Sequence, residues 1–114
     1  MSHEGTCVWI GASSARYTYY VYRLPANFTP GQDGNYVYAR TDARGDWVPV
    51  YVGQGDLNDR SGPGHHQAPC IAGKRATHFH AHLNRDKGAR LAEEGDLLRA
   101  HPAAQQPVGC NERY

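Results

Sequence analysis

Two tyrosines each stand beside a glycine, in Gly34-Asn35-Tyr36 and in Tyr51-Val52-Gly53. Phenol hydroxyls brought together on neighbouring strands can orient a water molecule or pass a proton, and glycine beside them lets a substrate or a second backbone come close. The same residues can serve only as sheet packing, since tyrosine favours strands. A second candidate is Glu94. On a helix of 3.6 residues per turn it falls on one side with Leu91, Leu97 and Leu98, so its carboxylate faces the core. There it needs a cation, an arginine partner or a hydrogen-bonded network. Glu93 and Asp96 project towards the polar side and read as solvated. His78, His80 and His82 form a third group, a same-face row if residues 76–83 are a strand. Such a row can bind a transition metal through neutral imidazoles or lie at the surface, and no cysteine or carboxylate with ligand spacing accompanies it.

Turn residues and periodicity define the elements that must position these groups. Residues 16–24 are aromatic and β-branched and end at Pro25, which predicts a strand. Residues 35–41 and 47–52 predict a hairpin around a turn rich in Asp, Arg and Gly. With that turn centred between Ala43 and Arg44, Tyr36 stands opposite Tyr51 and Arg40 opposite Trp47, which puts the two hydroxyls side by side. Pro49 cannot donate to a ladder and marks an edge or a bulge. Asp56 caps a short helix through Leu57 and Arg60, which Ser61-Gly62-Pro63-Gly64 ends. Residues 65–75 read as loop, residues 76–83 as a strand and residues 86–100 as a helix closed before Pro102. The remaining tail reads as irregular.

The 114 residues, 39% hydrophobic and 20% charged, suit one globular domain over 1–114 and exclude a disordered chain. A net charge of +1 announces no polyanion partner by itself. The positive charge gathers between residues 60 and 90, however, at Arg60, Lys74, Arg75, Arg85, Lys87 and Arg90, where it can follow phosphates. The apolar run from Cys7 to Ile10 is too short for a signal-peptide core or a membrane span, so a cytoplasmic protein without membrane contact is expected. Cys7, Cys70 and Cys110 are odd in number and widely spaced, which predicts reduced thiols.

The two tripeptides, Arg60 on the following helix, Glu94 ahead of Leu97-Leu98 and Asn111 near the end follow one another in an order that resembles the GIY-YIG nuclease superfamily over residues 34–111. The stretches VYVGQGDLNDR, HHQAPCI, ATHFHAHL and RLAEEGDLL are similar to a group of small stand-alone bacterial members. The resemblance implies an α/β fold, with a small antiparallel sheet of three core strands flanked by helices, here with an added N-terminal strand. It implies a divalent-metal-dependent endonuclease that hydrolyses DNA phosphodiesters. Tyr36 would activate the attacking water, as base or as relay, and Tyr51 would position it. Arg60 would bind the scissile phosphate, Glu94 would hold one Mg²⁺ or Mn²⁺ ion, and Asn111 would brace the site. Many family members carry a histidine one helical turn after the arginine. Here Gly64 stands at that position and His65 and His66 follow, which makes His65 the site histidine with His66 second. Lys74 and Arg75 would join Arg60 in contacting DNA. The alternative is a degenerate member that binds DNA or a protein without cutting, and a zinc module on the histidine row is a third.

Overall fold

A computed structural model describes residues 3–112. Five strands, β1 (Thr6–Ile10), β2 (Arg16–Arg23), β3 (Asp33–Thr41), β4 (Trp47–Asp56) and β5 (His78–Leu83), form one antiparallel sheet in the order β1-β2-β5-β3-β4. Three helices pack on it: α1 (Leu57–Arg60), α2 (Ala68–Gly73) and α3 (Lys87–Ala100). A 3₁₀ turn, Pro102–Ala104, opens the tail. The fold is thus α/β with an antiparallel sheet. The N-terminal addition is a hairpin, β1 and β2, rather than one strand, and α2 occupies part of the stretch expected as loop.

Alternation along the strands divides the core in two. Tyr36, Tyr38, Tyr51, Phe79 and Ala81 face α1 and α2 and meet Leu57 and Ile71. Trp9, Tyr19, Val37 and Val52 face α3 and meet Leu97 and Leu98. Burial of a single Phe or Leu side chain contributes about 1.5–3 kcal/mol, so each helix is held chiefly by the few apolar residues it sets against the sheet. Asp56 caps α1 as expected, and Asp86 caps α3 in the same way. Asp56 accepts from Asn58 N at 3.0 Å and Asp86 from Ala89 N at 3.2 Å.

The hairpin register differs from the expected one. Tyr36 is the partner of Gly53 and Tyr38 of Tyr51, while Trp47 pairs with Thr41 instead of Arg40. Two local causes add up. The Asp42 carboxylate accepts from Arg44 N at 2.9 Å and Asp46 N at 3.0 Å, and Gly45 takes a φ of 85°, which closes the turn later than a centre between Ala43 and Arg44. A bulge opposite Tyr38 and Ala39, beside Pro49, then shifts the ladder again.

α3 is also rotated from its expected phase. Leu91 is 47% exposed, whereas Glu93 and Asp96, expected in solvent, are each only 4% exposed. The hairpin of β1 and β2 accounts for it. Glu93 accepts from Tyr19 Oη at 2.5 Å and pairs with His82 Nδ1 at 2.9 Å. Asp96 accepts from Ser13 Oγ at 2.6 Å and Tyr17 Oη at 2.8 Å. Two carboxylates one turn apart therefore fix the helix by hydrogen bonds, which an apolar periodicity does not record.

Cys70 and Cys110 form a disulfide with a Cα–Cα distance of 5.9 Å, which corrects the expectation of reduced thiols. No spacing rule announces this pair, because α2 and the tail meet only in the folded chain. Cys110 N also donates to Val50 O at 2.8 Å. Disulfides persist in oxidising surroundings, so the pair lends no support to a cytoplasmic setting. Cys7 is free, and burial pushes its thiol up to about 11. Among the described residues no helix is long and apolar enough to cross a membrane.

Candidate active site

The displaced register gives the two tyrosines different surroundings. Tyr36 is 1% exposed, and its ring stacks between Phe79, at 5.2 Å between centroids, and Tyr51, at 6.0 Å. It lies directly over Gly53, where any Cβ would collide with its hydroxyl. That is what the glycine of Tyr51-Val52-Gly53 is for: a side chain there would evict the ring. Tyr51 is 9% exposed and lines a cleft of about 360 Å³ with His66, Gln67, Glu94, Leu98 and Asn111. Glu112 completes the lining.

Two sets of hydrogen bonds order these groups. Gln67 N donates to His65 Nδ1 at 2.9 Å. Burial, then the charges of His66 and Arg60, push the His65 imidazole down to about 4, so it is neutral near pH 7. With Nδ1 accepting, its proton sits on Nε2, which donates to the Tyr36 hydroxyl oxygen at 2.6 Å. The Tyr36 ring stacks on that of Tyr51 at 6.0 Å between centroids, and Tyr51 Oη lies 3.1 Å from His66 Nε2. Burial raises the pKa of both phenols above the ordinary tyrosine value, and the Glu94 charge adds to it, while Arg60 pulls both down. Tyr36 is therefore a hydroxyl held behind Tyr51, and Tyr51 with the exposed His66 is what meets the cleft. Of the two histidines, the buried His65 holds Tyr36 and the exposed His66 meets Tyr51 at the cleft.

Arg60 ends α1 with its guanidinium folded back over β4. A Cβ on Gly55, whose φ is 145°, would lie 2.9 Å from Arg60 Nε. Tyr38 Oη donates to Arg60 O at 2.6 Å and fixes the backbone there. Tyr38 has no glycine beside it to mark it in the sequence, although its place two residues after Tyr36 puts it on the same sheet face. Among the described residues no carboxylate lies within ion-pair distance of the guanidinium. Its charge acts on Tyr36, Tyr51, His65 and Glu94 alike, although it does not itself line the cleft.

Glu94 reaches the cleft because its neighbours do not. With Glu93 and Asp96 turned onto the sheet, the residue between them is carried about 100° round the helix, towards the β4 edge. Leu98, one turn on, lines the same cleft. Burial raises the Glu94 pKa and Arg60 counters it. The arginine partner considered for Glu94 is not an ion pair.

Asn111 holds the edge strand as a further strand would. Its Oδ1 accepts from Val52 N at 2.8 Å and its Nδ2 donates to Val52 O at 2.9 Å. The tail, tied by the disulfide, thereby fixes β4 one residue from Tyr51. Lys74 and Arg75 sit apart: Lys74 donates to Pro107 O at 2.7 Å, and Arg75 is exposed in a left-handed conformation with a φ of 63°. Neither lines the cleft.

The histidine row faces α3, and each ring has its own partner. His82 meets Glu93, and His78 meets Glu4 at 3.0 Å. His80 Nδ1 accepts from Trp9 Nε1 at 3.0 Å. Among the described residues no group of three or more His, Cys, Asp or Glu side chains is placed to hold a metal ion. Burial pushes His80 down to about 3. A histidine that is neutral in the fold and ordinary when unfolded, near 6.5, leaves the unfolded chain binding more protons as the pH falls. Its stabilising effect is complete above 6.5 and is lost towards 4 for His65 and 3 for His80. The melting temperature is expected to fall between pH 7 and pH 4.5, and to fall less in His65→Asn. An identical slope in that variant would contradict the neutral His65.

The chain matches no family model, no curated protein and no solved structure.

Proposed function

We propose that the chain is a divalent-metal-dependent DNA endonuclease of the GIY-YIG type that hydrolyses phosphodiester bonds. The observation that carries the proposal is one cleft in which the Tyr51–His66 pair and the Glu94 carboxylate are brought together, with Tyr36 and His65 behind and the Arg60 charge acting on Tyr36, Tyr51, His65 and Glu94.

The attacking water is oriented at the Tyr51 hydroxyl, and its proton passes to His66, imidazole being the commonest side-chain base. Tyr36 and His65 hold Tyr51 in place from behind, so Tyr36 relays and positions rather than acting as the base itself. Arg60, without a carboxylate partner among the described residues, takes the scissile phosphate in a bidentate grip and offsets the charge that grows on it.

Glu94 offers a single hard oxygen donor beside Glu112, which fits Mg²⁺ or Mn²⁺, ions commonly held by one or two carboxylates with water and substrate phosphate completing the shell. Such an ion supplies stabilisation of charge on the leaving 3′ oxygen. Lys74 and Arg75 are left to contact DNA away from the reacting phosphate.

Single-turnover cleavage of DNA by Tyr51→Phe tests the proposal. Loss of one hydroxyl that serves proton transfer is expected to slow cleavage by about 100-fold or more with little change in melting temperature, whereas Tyr36→Phe slows it by less and lowers the melting temperature, because it leaves the buried His65 Nε2–H without its acceptor. Wild-type rates in Tyr51→Phe would remove the chemistry from this cleft, and DNA binding without any cleavage by the wild type would leave a binding module.

A further inference from the structure

The hairpin of β1 and β2 lies outside the motif-bearing residues, and it builds a second hollow of about 350 Å³ on the same sheet face as Tyr36 and Tyr51. Resting on the nuclease proposal above, we propose that this hollow seats one unpaired nucleobase of the DNA strand whose phosphate is held at Arg60, which makes the substrate single-stranded or locally unpaired.

Its walls are aromatic and its rim is polar. Tyr20 is 46% exposed, and Tyr22 and Phe28 meet edge to face at 5.0 Å between centroids. The Tyr20 ring already carries a flat ring, that of His3, at 4.6 Å. Asn27, Thr29 and Gln32 edge the hollow. Gln32 Oε1 accepts from Thr29 N at 3.2 Å, so its amide NH₂ is what it presents to a ligand. Stacking faces with a few hydrogen-bonding groups suit a nucleobase. The volume is that of a small-molecule site. It admits one base with its sugar and not a stacked base pair, so a base must leave the duplex to enter.

The position suits a neighbour of the reacting phosphate. Tyr20, Ala81, Tyr36 and Gly53 are successive partners across the sheet, and so are Leu83, Gly34 and Gly55. Arg60 rests on Gly55 and Leu83 lines the hollow. At about 4.8 Å between strands, Leu83 lies about 10 Å from Gly55 and Tyr20 about 14 Å from Gly53, within reach of nucleotides one or two apart in one strand. The row crosses Gly34 and Gly55, which raise no side chain in the way. Arg85, exposed beyond Leu83, supplies positive charge for the backbone.

The test is binding of a short single-stranded oligonucleotide carrying 2-aminopurine, without divalent metal, by wild type, Tyr20→Ala and Tyr20→Phe. Tyr20 is at the surface, so both variants keep the fold, as circular dichroism checks. Tyr20→Ala is expected to weaken binding roughly 5- to 100-fold, the range found for loss of one base–aromatic stack, with loss of 2-aminopurine quenching, and Tyr20→Phe is expected to retain both. A perfect duplex should bind more weakly and without regard to Tyr20. Equal affinity of wild type and Tyr20→Ala for the single strand, in a protein that cleaves DNA, would overturn the base seat alone. A wild type that neither binds nor cleaves DNA would overturn both proposals.

Discussion

Arg60→Ala is expected to lower the rate of DNA cleavage by roughly 100- to 1,000-fold, the usual loss for one donor aimed at transition-state charge, while DNA binding weakens only a few-fold. The guanidinium rests on Gly55 and has no carboxylate partner among the described residues, so its removal orphans no buried charge. Tyr38 still bonds the carbonyl of residue 60, and α1 keeps its place. A second effect separates this arginine from an ordinary phosphate contact. Its charge lowers the Glu94 pKa, which burial has raised. Without it Glu94 takes up its proton at a higher pH, and the acid limb of the pH–rate profile shifts upward. Arg60→Lys keeps a charge but not the bidentate fork, so it restores the acid limb more fully than the rate. Equal proportional losses of binding and rate, with an unmoved acid limb, would demote Arg60 to a general DNA contact.

Glu94→Gln is expected to slow cleavage by about 1,000-fold or more, since a metal ion at the reacting phosphate supplies several kcal/mol of charge stabilisation. The amide keeps the shape and loses the anion. The fold should tolerate it, because Glu94 stands at a cleft and its neighbours, not Glu94 itself, secure α3 to the sheet. Glu93→Gln is the contrast: it neutralises a buried carboxylate that serves Tyr19 and His82, so it lowers the melting temperature and leaves metal affinity unchanged. Calorimetric titration with Mn²⁺ checks both variants. Wild-type Mn²⁺ affinity in Glu94→Gln would sink its role as ligand.

What was legible in the sequence was local. Asp56 announces its helix because a capping carboxylate acts on N–H groups within three residues, and Pro49 marks its bulge because it lacks an N–H. The antiparallel hairpin followed from alternation, and so did the shared face of Tyr36 and Tyr51. The register did not follow. It depends on how Asp42 and Gly45 close the turn and on one bulge, and each moves the pairing without changing the alternation. The phase of α3 was hidden because polar groups of the N-terminal hairpin, distant in sequence, hold Glu93 and Asp96. Leu97 and Leu98 are buried as expected and Leu98 shares the cleft with Glu94, so of the neighbours that selected Glu94 only Leu91 turns away. The Cys70–Cys110 pair was illegible for a like reason, since α2 and the tail approach only through the fold. Asn111 was chosen by resemblance, and its two bonds to Val52 depend on where the tail lies. His66 was ranked behind His65, because sequence order cannot say which of two adjacent rings turns outward.

The most direct test of a metal-dependent nuclease in this cleft is nicking of supercoiled plasmid and cleavage of a single-stranded oligonucleotide by the purified chain as Mg²⁺ or Mn²⁺ is added, with Glu94→Gln in parallel. Cleavage that rises with metal in the wild type and is absent from the variant is the predicted result. Cleavage that is independent of metal, or equal in both proteins, would contradict it.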